Sequence, residues 1–226
     1  MVIYHYSYNI FQIYNINLLD SIIMCYIRDF FAGVFILISG ISCNFSKNNI
    51  VRGIKCFLIG ILITLVTYIF LPSELIVFGI LHMLGISILI YILLNNILNN
   101  IYKYINKKII ILIFLILFFM TYRIYRGYLN ILGQKYFLPE IFYEIKFLFA
   151  FGFPSSSFRS ADYFPVFPWT FLFLSGAVLG SVKPKESFPD FMFKSRFKFL
   201  EIIGKRTLLI YILHQPVFFI IYKLCS

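Results

Sequence analysis

Between Ile76 and Leu94 the chain runs nineteen residues without one Asp, Glu, Lys or Arg. A helix needs about 20 such residues, rising 1.5 Å each, to cross the ~30 Å apolar core of a bilayer. Similar apolar runs, two of them with a single Lys near one end (Lys55, Lys223), recur along the sequence: Phe30 to Phe45, Gly53 to Leu71 (stopped by Pro72), Ile109 to Tyr122, Phe164 to Val182 and Leu208 to Leu224. A shorter one, rich in Tyr and Asn, opens the chain from Met1 to about Ile16. A membrane barrel would show alternating segments of about ten residues; these runs are unbroken. The expected fold is therefore all-α: a multi-pass transmembrane helix bundle of about seven spans, one integral-membrane domain over residues 1–226. Composition closes off the other classes. The chain is 61% hydrophobic and 13% charged. A soluble domain of this size leaves roughly a quarter to a third of its chain surface in water and could not hide so much apolar area. Disorder needs the opposite composition.

The first run is the weakest. Sixteen residues reach about 24 Å, short of the core thickness. Two expectations follow: a tilted half-span packed in the bundle, or a natural chain that starts upstream of Met1, its first span cut short.

The net charge of +11 acts on topology. With the first span starting inside, the inner loops carry thirteen basic residues, among them Lys47, Arg52, Lys103, Lys107, Lys108, Lys205 and Arg206, against three acidic ones. The outer segments carry seven basic and six acidic residues. The positive-inside rule favours this orientation, and anionic lipid is the natural partner of the basic side. No nucleic-acid-binding motif competes with that reading. The expected location is the plasma membrane, with the C-terminus outside if there are seven spans. The four cysteines form no CxxC pair and no zinc spacing, and no metal site is expected. Two segments between spans carry their own pattern. Phe137 to Phe153 mixes aromatics with Glu140, Glu144 and Lys146, as an outer interfacial helix or re-entrant piece would. Phe188 to Arg206 interleaves Phe with Lys and Arg, as an amphipathic helix on the inner leaflet would.

Chemistry has few places to sit. All three histidines, His5, His82 and His214, fall inside the apolar runs. Ionisable groups at membrane depth are costly and point to function by default, and imidazole is the natural base near neutral pH. The plain structural reading of any one of them is a helix–helix hydrogen bond. On the run boundaries, His82 sits about six residues, ~9 Å, below the outer end of its helix. Pro216, two residues after His214, bends its span, either lining a cavity or as a simple kink. Asp162 precedes the aromatic and proline run that opens the sixth span. It reads either as a carboxylate at the N-terminus of that helix or as one at the outer mouth of a cavity. Small residues at Gly40, Gly79, Gly85, Gly176 and Gly180 read mainly as close helix packing.

Five segments taken together resemble a known family. They are Met1-Val2-Ile3-Tyr4-His5, Phe35 to Ser42, Gly79-Ile80-Leu81-His82-Met83-Leu84-Gly85, Ser160 to Trp169, and Ile203 to Pro216. Their order and spacing are similar to the bacterial branch of the heparan-alpha-glucosaminide N-acetyltransferase catalytic-domain family. The last two segments are the most specific part. The resemblance implies a transmembrane acyltransferase that passes an acetyl or acyl group from cytosolic acyl-CoA, acetyl-CoA as donor, to an extracytoplasmic sugar or envelope glycan. It makes His5, His82, His214 and Asp162 candidates for the polar centre. Lys205 and Arg206 become candidates for contacts to the CoA phosphates; topology alone also accounts for them. The partners implied are the lipid bilayer, acyl-CoA and a glycan or amino-sugar acceptor, with no nucleic acid and a homo-oligomer left open. A transporter or flippase without covalent chemistry, or an inactive truncated family member, remains the alternative.

Overall fold

A computed structural model describes residues 22–182, 198–207, 209, 210 and 213. The first apolar run, His5, His214 and Pro216 lie outside the described residues, as does most of the seventh run. The chain divides into two compact units, Phe35–Lys185 and a second made of Met1–Val34 with Glu186–Ser226. In chain order the helices are α1 (Ile22–Ser42), α2 (Asn49–Phe70), α3 (Ile80–Ile101) and α4 (Lys107–Thr121). A hairpin of β1 (Tyr128–Ile131) and β2 (Gln134–Phe137) follows, then a one-turn α5 (Ile141–Glu144), α6 (Val166–Val182) and α7 (Lys198–Lys205). Short 3₁₀ turns fill Pro72–Glu74, Ile124–Arg126 and Lys146–Phe151.

Four stretches among the described residues are long and apolar enough to cross a membrane: Met24–Ser42, Asn49–Phe70, Ile80–Ile101 and Lys107–Arg126. Val166–Val182 is a shorter apolar helix. The helices start where the sequence offers a cap. Asn48 accepts from the Val51 N–H at 3.0 Å to open α2, and Asn106 accepts from the Lys108 N–H at 2.9 Å to open α4. Helix α2 stops at Pro72, which has no N–H to continue the ladder. Its outward stripe of Leu58, Leu62, Leu65 and Ile69 is exposed, as is Leu112–Ile116–Phe119 on α4. Such apolar stripes belong against lipid.

The core of the larger unit lies between α3, α4 and α6, where Ile80, Leu84, Ile88, Trp169, Phe173 and Val178 are buried. Glycines set the closest approaches. A Cβ on Gly40 would run into the Phe173 carbonyl, and one on Gly176 into the Leu37 carbonyl. A Cβ on Gly85 would stand 2.7 Å from Phe57 Cβ. The small residues at these positions are helix-packing devices, as expected.

The loops sort to two ends. At one, Asn44 Nδ2 donates to the Ala177 carbonyl at 2.8 Å, Arg52 reaches Ser39, and Lys107 Nζ donates to the Ser181 carbonyl at 2.8 Å. This end carries Lys47, Lys103, Lys107 and Lys108 with no carboxylate between Asp29 and Glu74 or between Glu74 and Glu140. At the other end the segment Leu75–Phe78 meets residues 161–164. The Ala161 N–H donates to the Leu75 carbonyl at 2.9 Å and the Phe164 N–H to the Phe78 carbonyl at 3.1 Å.

Two expectations change. Residues 137–153 do not form one interfacial helix: they close a hairpin, make one α-turn and a 3₁₀ turn. Helix α3 begins at Ile80, not Ile76, because the Leu75 and Phe78 carbonyls are taken by the Ala161 and Phe164 N–H groups. In the second unit, α7 is the described end of that segment, with Phe199, Glu201 and Ile202 all exposed. The rest of the amphipathic helix expected from Phe188 to Arg206, up to residue 197, lies outside the described residues.

Candidate functional site

The late start of α3 puts His82 in its first turn, as N3 after the N-cap Gly79. The imidazole reaches back, and the Gly79 N–H donates to its Nδ1 at 3.2 Å. A Glu or Gln at N3 does the same in a capping box. Because Nδ1 accepts, the proton of the neutral ring sits on Nε2. That N–H faces Thr64 Oγ1 across a long 3.5 Å contact. His82 is buried, stacked on Phe78 (centroids 5.4 Å) and edge-on to Phe57 (5.7 Å).

The ring occupies space that α2 leaves open. A Cβ on Gly60 would come within 2.9 Å of His82 Nδ1. Gly60, Thr64 and Thr67 lie on one face of α2 at spacings of four and three. Thr67 Oγ1 accepts from the Ile76 N–H at 3.2 Å, so this face supports the whole entry to α3. Gly60 is near the middle of α2, ~16 Å from either end at 1.5 Å per residue. His82 therefore sits opposite the midpoint of a membrane-length helix, and two residues, not six, past the start of its own.

Asp162 joins the same assembly from 80 residues away. Its Oδ2 accepts from the Ile80 N–H at 3.3 Å, and a Cβ on Gly79 would lie 2.7 Å from that oxygen. The sequence placed this carboxylate at the start of the sixth span; the structure gives its Oδ2 to the start of α3. A carboxylate there answers the exposed N–H groups and positive dipole of a helix N-terminus. Gly79 has no side chain because Asp162 needs the room. Ser160 fixes the approach: its hydroxyl accepts from the Val77 N–H at 3.1 Å and donates to the Asp162 carbonyl at 3.0 Å. Asp162 and His82 thus share one element, the first turn of α3, gripping it from outside and inside. The neighbouring Tyr163 donates to the Phe149 carbonyl at 2.6 Å, and burial pushes its phenol well up, so it stays protonated. Glu74, in the turn before, is also pushed up by burial and keeps its proton to higher pH than an exposed carboxyl.

Two polar groups that the sequence did not single out stand elsewhere in this unit. Ser87 and Thr170, both buried, share a 2.7 Å hydrogen bond between α3 and α6. Arg52 was counted only as an inner charge. Its guanidinium folds back to Ser39 Oγ (2.8 Å), the Ser39 carbonyl (3.1 Å) and Cys43 Sγ (3.4 Å), latching α2 to the end of α1. Burial pushes the Cys43 thiol up, with Arg52 opposing it. Only the i, i+3 and i, i+4 spacing of Gly60, Thr64 and Thr67 could have flagged the His82 pocket in advance.

His5 and His214 lie outside the described residues. Lys205 closes α7, and Arg206 follows it exposed, both in the other unit. No group of three or more His, Cys, Asp or Glu side chains that could hold a metal occurs among the described residues.

A profile of the heparan-alpha-glucosaminide N-acetyltransferase catalytic family matches residues 1–216. No curated protein and no solved structure matches the chain.

Proposed function

Since the chain belongs to the heparan-alpha-glucosaminide N-acetyltransferase catalytic family, we propose that it is a membrane-bound acyltransferase. The match over nearly all of the chain is the observation that carries this reading. In detail, the enzyme takes an acetyl or acyl group from cytosolic acyl-CoA, acetyl-CoA in the first instance, and delivers it to a sugar or envelope glycan on the far side. The basic end of the larger unit suits the phosphates of such a donor, and Lys205 and Arg206 belong to the same inner group by sequence. The bound thioester supplies the activated acyl group.

The hydrogen bond of His82 supports a division of roles among the histidines. The lone pair on His82 Nδ1 is engaged by Gly79, so His82 offers a hydrogen bond from its Nε2 N–H and does not offer a free base. Taking the proton from the acceptor amine or hydroxyl, or carrying the acyl group transiently, then falls to His5 or His214. Asp162 is a positioning residue, holding the turn that carries His82.

Transfer of label from acetyl-CoA is measured in membranes that carry the protein or its His5→Ala, His82→Gln and His214→Ala variants. Loss in at least one variant is expected. Full transfer by all three overturns the role of histidine. Proton-driven uptake of a solute with no acylated product overturns the acyltransferase reading in favour of a transporter.

A further inference from the structure

The segment between α4 and α6 carries an apolar surface that its position explains. Helix α4 has 15 residues and α6 has 17, against 22 in α2. At 1.5 Å per residue these are ~22, ~25 and ~33 Å. Lys107 is bonded to Ser181, so the start of α4 and the end of α6 lie at one level on the basic end. Starting from that boundary, α6 stops several ångströms short of the far edge of a ~30 Å apolar core, while the apolar stretch that begins with α4 runs on to Arg126, close to that edge. The chain joining them therefore starts and ends at or just inside the far edge of that core.

Its side chains fit that level. Leu132 is 100% exposed, Phe137 79% and Phe147 71%. In water, such a cluster within twenty residues would be an unusual patch. Leu132 also sits at φ 50° beside Gly133 at φ 84°. These two residues make the two-residue loop between Ile131 and Gln134. Loops of this kind favour Asn-Gly, since both central residues need positive φ. A leucine there is strained, yet it touches no protein, so its apolar bulk has another use. The hairpin also pairs cations with aromatic faces: Lys135 Nζ stands 5.2 Å from the Tyr128 ring, and Arg126 5.5 Å from Tyr125. Aromatic rings with long basic stems beside them are what the boundary between acyl chains and headgroups selects.

We propose that the hairpin and the turns after it, residues 128–151, lie in the lipid interface at the end opposite the basic loops, with Leu132, Phe137 and Phe147 in contact with acyl chains. The occupant of this apolar surface is bilayer lipid. Strand β1 packs against α4, whose exposed apolar stripe ends in Phe119.

The test uses the full chain in phosphatidylcholine vesicles, with one added tryptophan at a time: Leu132→Trp, Phe137→Trp, Phe147→Trp, and Leu62→Trp as a lipid-facing reference. The native Trp169 is buried and serves as a constant background. Emission is read in ordinary lipid, in lipid brominated on the acyl chains, and with iodide. The three positions are expected to lose the emission of the added tryptophan to brominated lipid as Leu62→Trp does, roughly by half, and to resist iodide. Quenching by iodide without quenching by brominated lipid places the segment in water and overturns the proposal. Resistance to both means that protein, a second copy or another part of this chain, covers the surface, and also overturns it. Leu132 makes no contact to lose, so Leu132→Trp reads the result even if the other variants fold poorly.

Discussion

His82 holds the first turn of its helix with the nitrogen that a general base would need free. This separates two substitutions that look alike on paper. In His82→Gln, the amide oxygen takes over the Gly79 N–H, as Gln does in a capping box, and the thermal midpoint in detergent stays near that of the parent. In His82→Ala the cap is lost, at about 1 kcal/mol, and a buried cavity adds to it. Acyl transfer falls in both. If Gln keeps full transfer, His82 is a cap and nothing more, and the proton falls to another residue. The same residue shows how far the sequence could be read. That a histidine lay in an apolar run was plain. Its tautomer follows from Gly79, three residues before it, but its contact with Thr64, its place opposite Gly60 and its link to Asp162 depend on partners 18 to 80 residues away, which no local pattern encodes.

At the scale of elements, helices were legible where one property, unbroken apolar length, decides the outcome. The expected spans for α2 and α4 agree with the structure to within a few residues at either end. Helix α3 starts four residues late because Leu75–Phe78 found a backbone partner at 161–164, and a remote hydrogen bond outweighs local helix propensity. The hairpin went unread because its loop is Leu-Gly rather than Asn-Gly. The Ser87–Thr170 bond between α3 and α6 gives a quantitative handle. Ser87→Ala alone strands the Thr170 hydroxyl in an apolar core and costs about 1–3 kcal/mol. Adding Thr170→Val removes the stranded group, so the double variant recovers most of that loss. Denaturant unfolding of the two singles and the double checks the cycle. Simple additivity would show that the pair does not couple the helices.

For the larger unit as a whole, the loops divide by charge and by contact in the same way. Residues 43–48 and 102–106 share the basic end, and 72–79 and 122–165 the other. With native cysteines replaced by serine, Tyr104→Cys and Ser156→Cys should label from opposite faces of intact cells with a membrane-impermeant maleimide. Ser156→Cys should react from outside and Tyr104→Cys only after lysis, following the positive-inside rule. Reaction of both from one face contradicts the arrangement of helices; the reverse pattern inverts the orientation and leaves the fold intact. By itself, the sequence determined that this chain is helical and built for a bilayer. Uncharged runs of about twenty residues have no other way to satisfy their backbone in lipid. It also determined which loops are basic. Only the tertiary structure decided what the few polar groups do. Asp162 grips α3 and His82 caps it, because each answers N–H groups that a helix start leaves open. Which remote side chain comes to fill that need is a matter of packing in space.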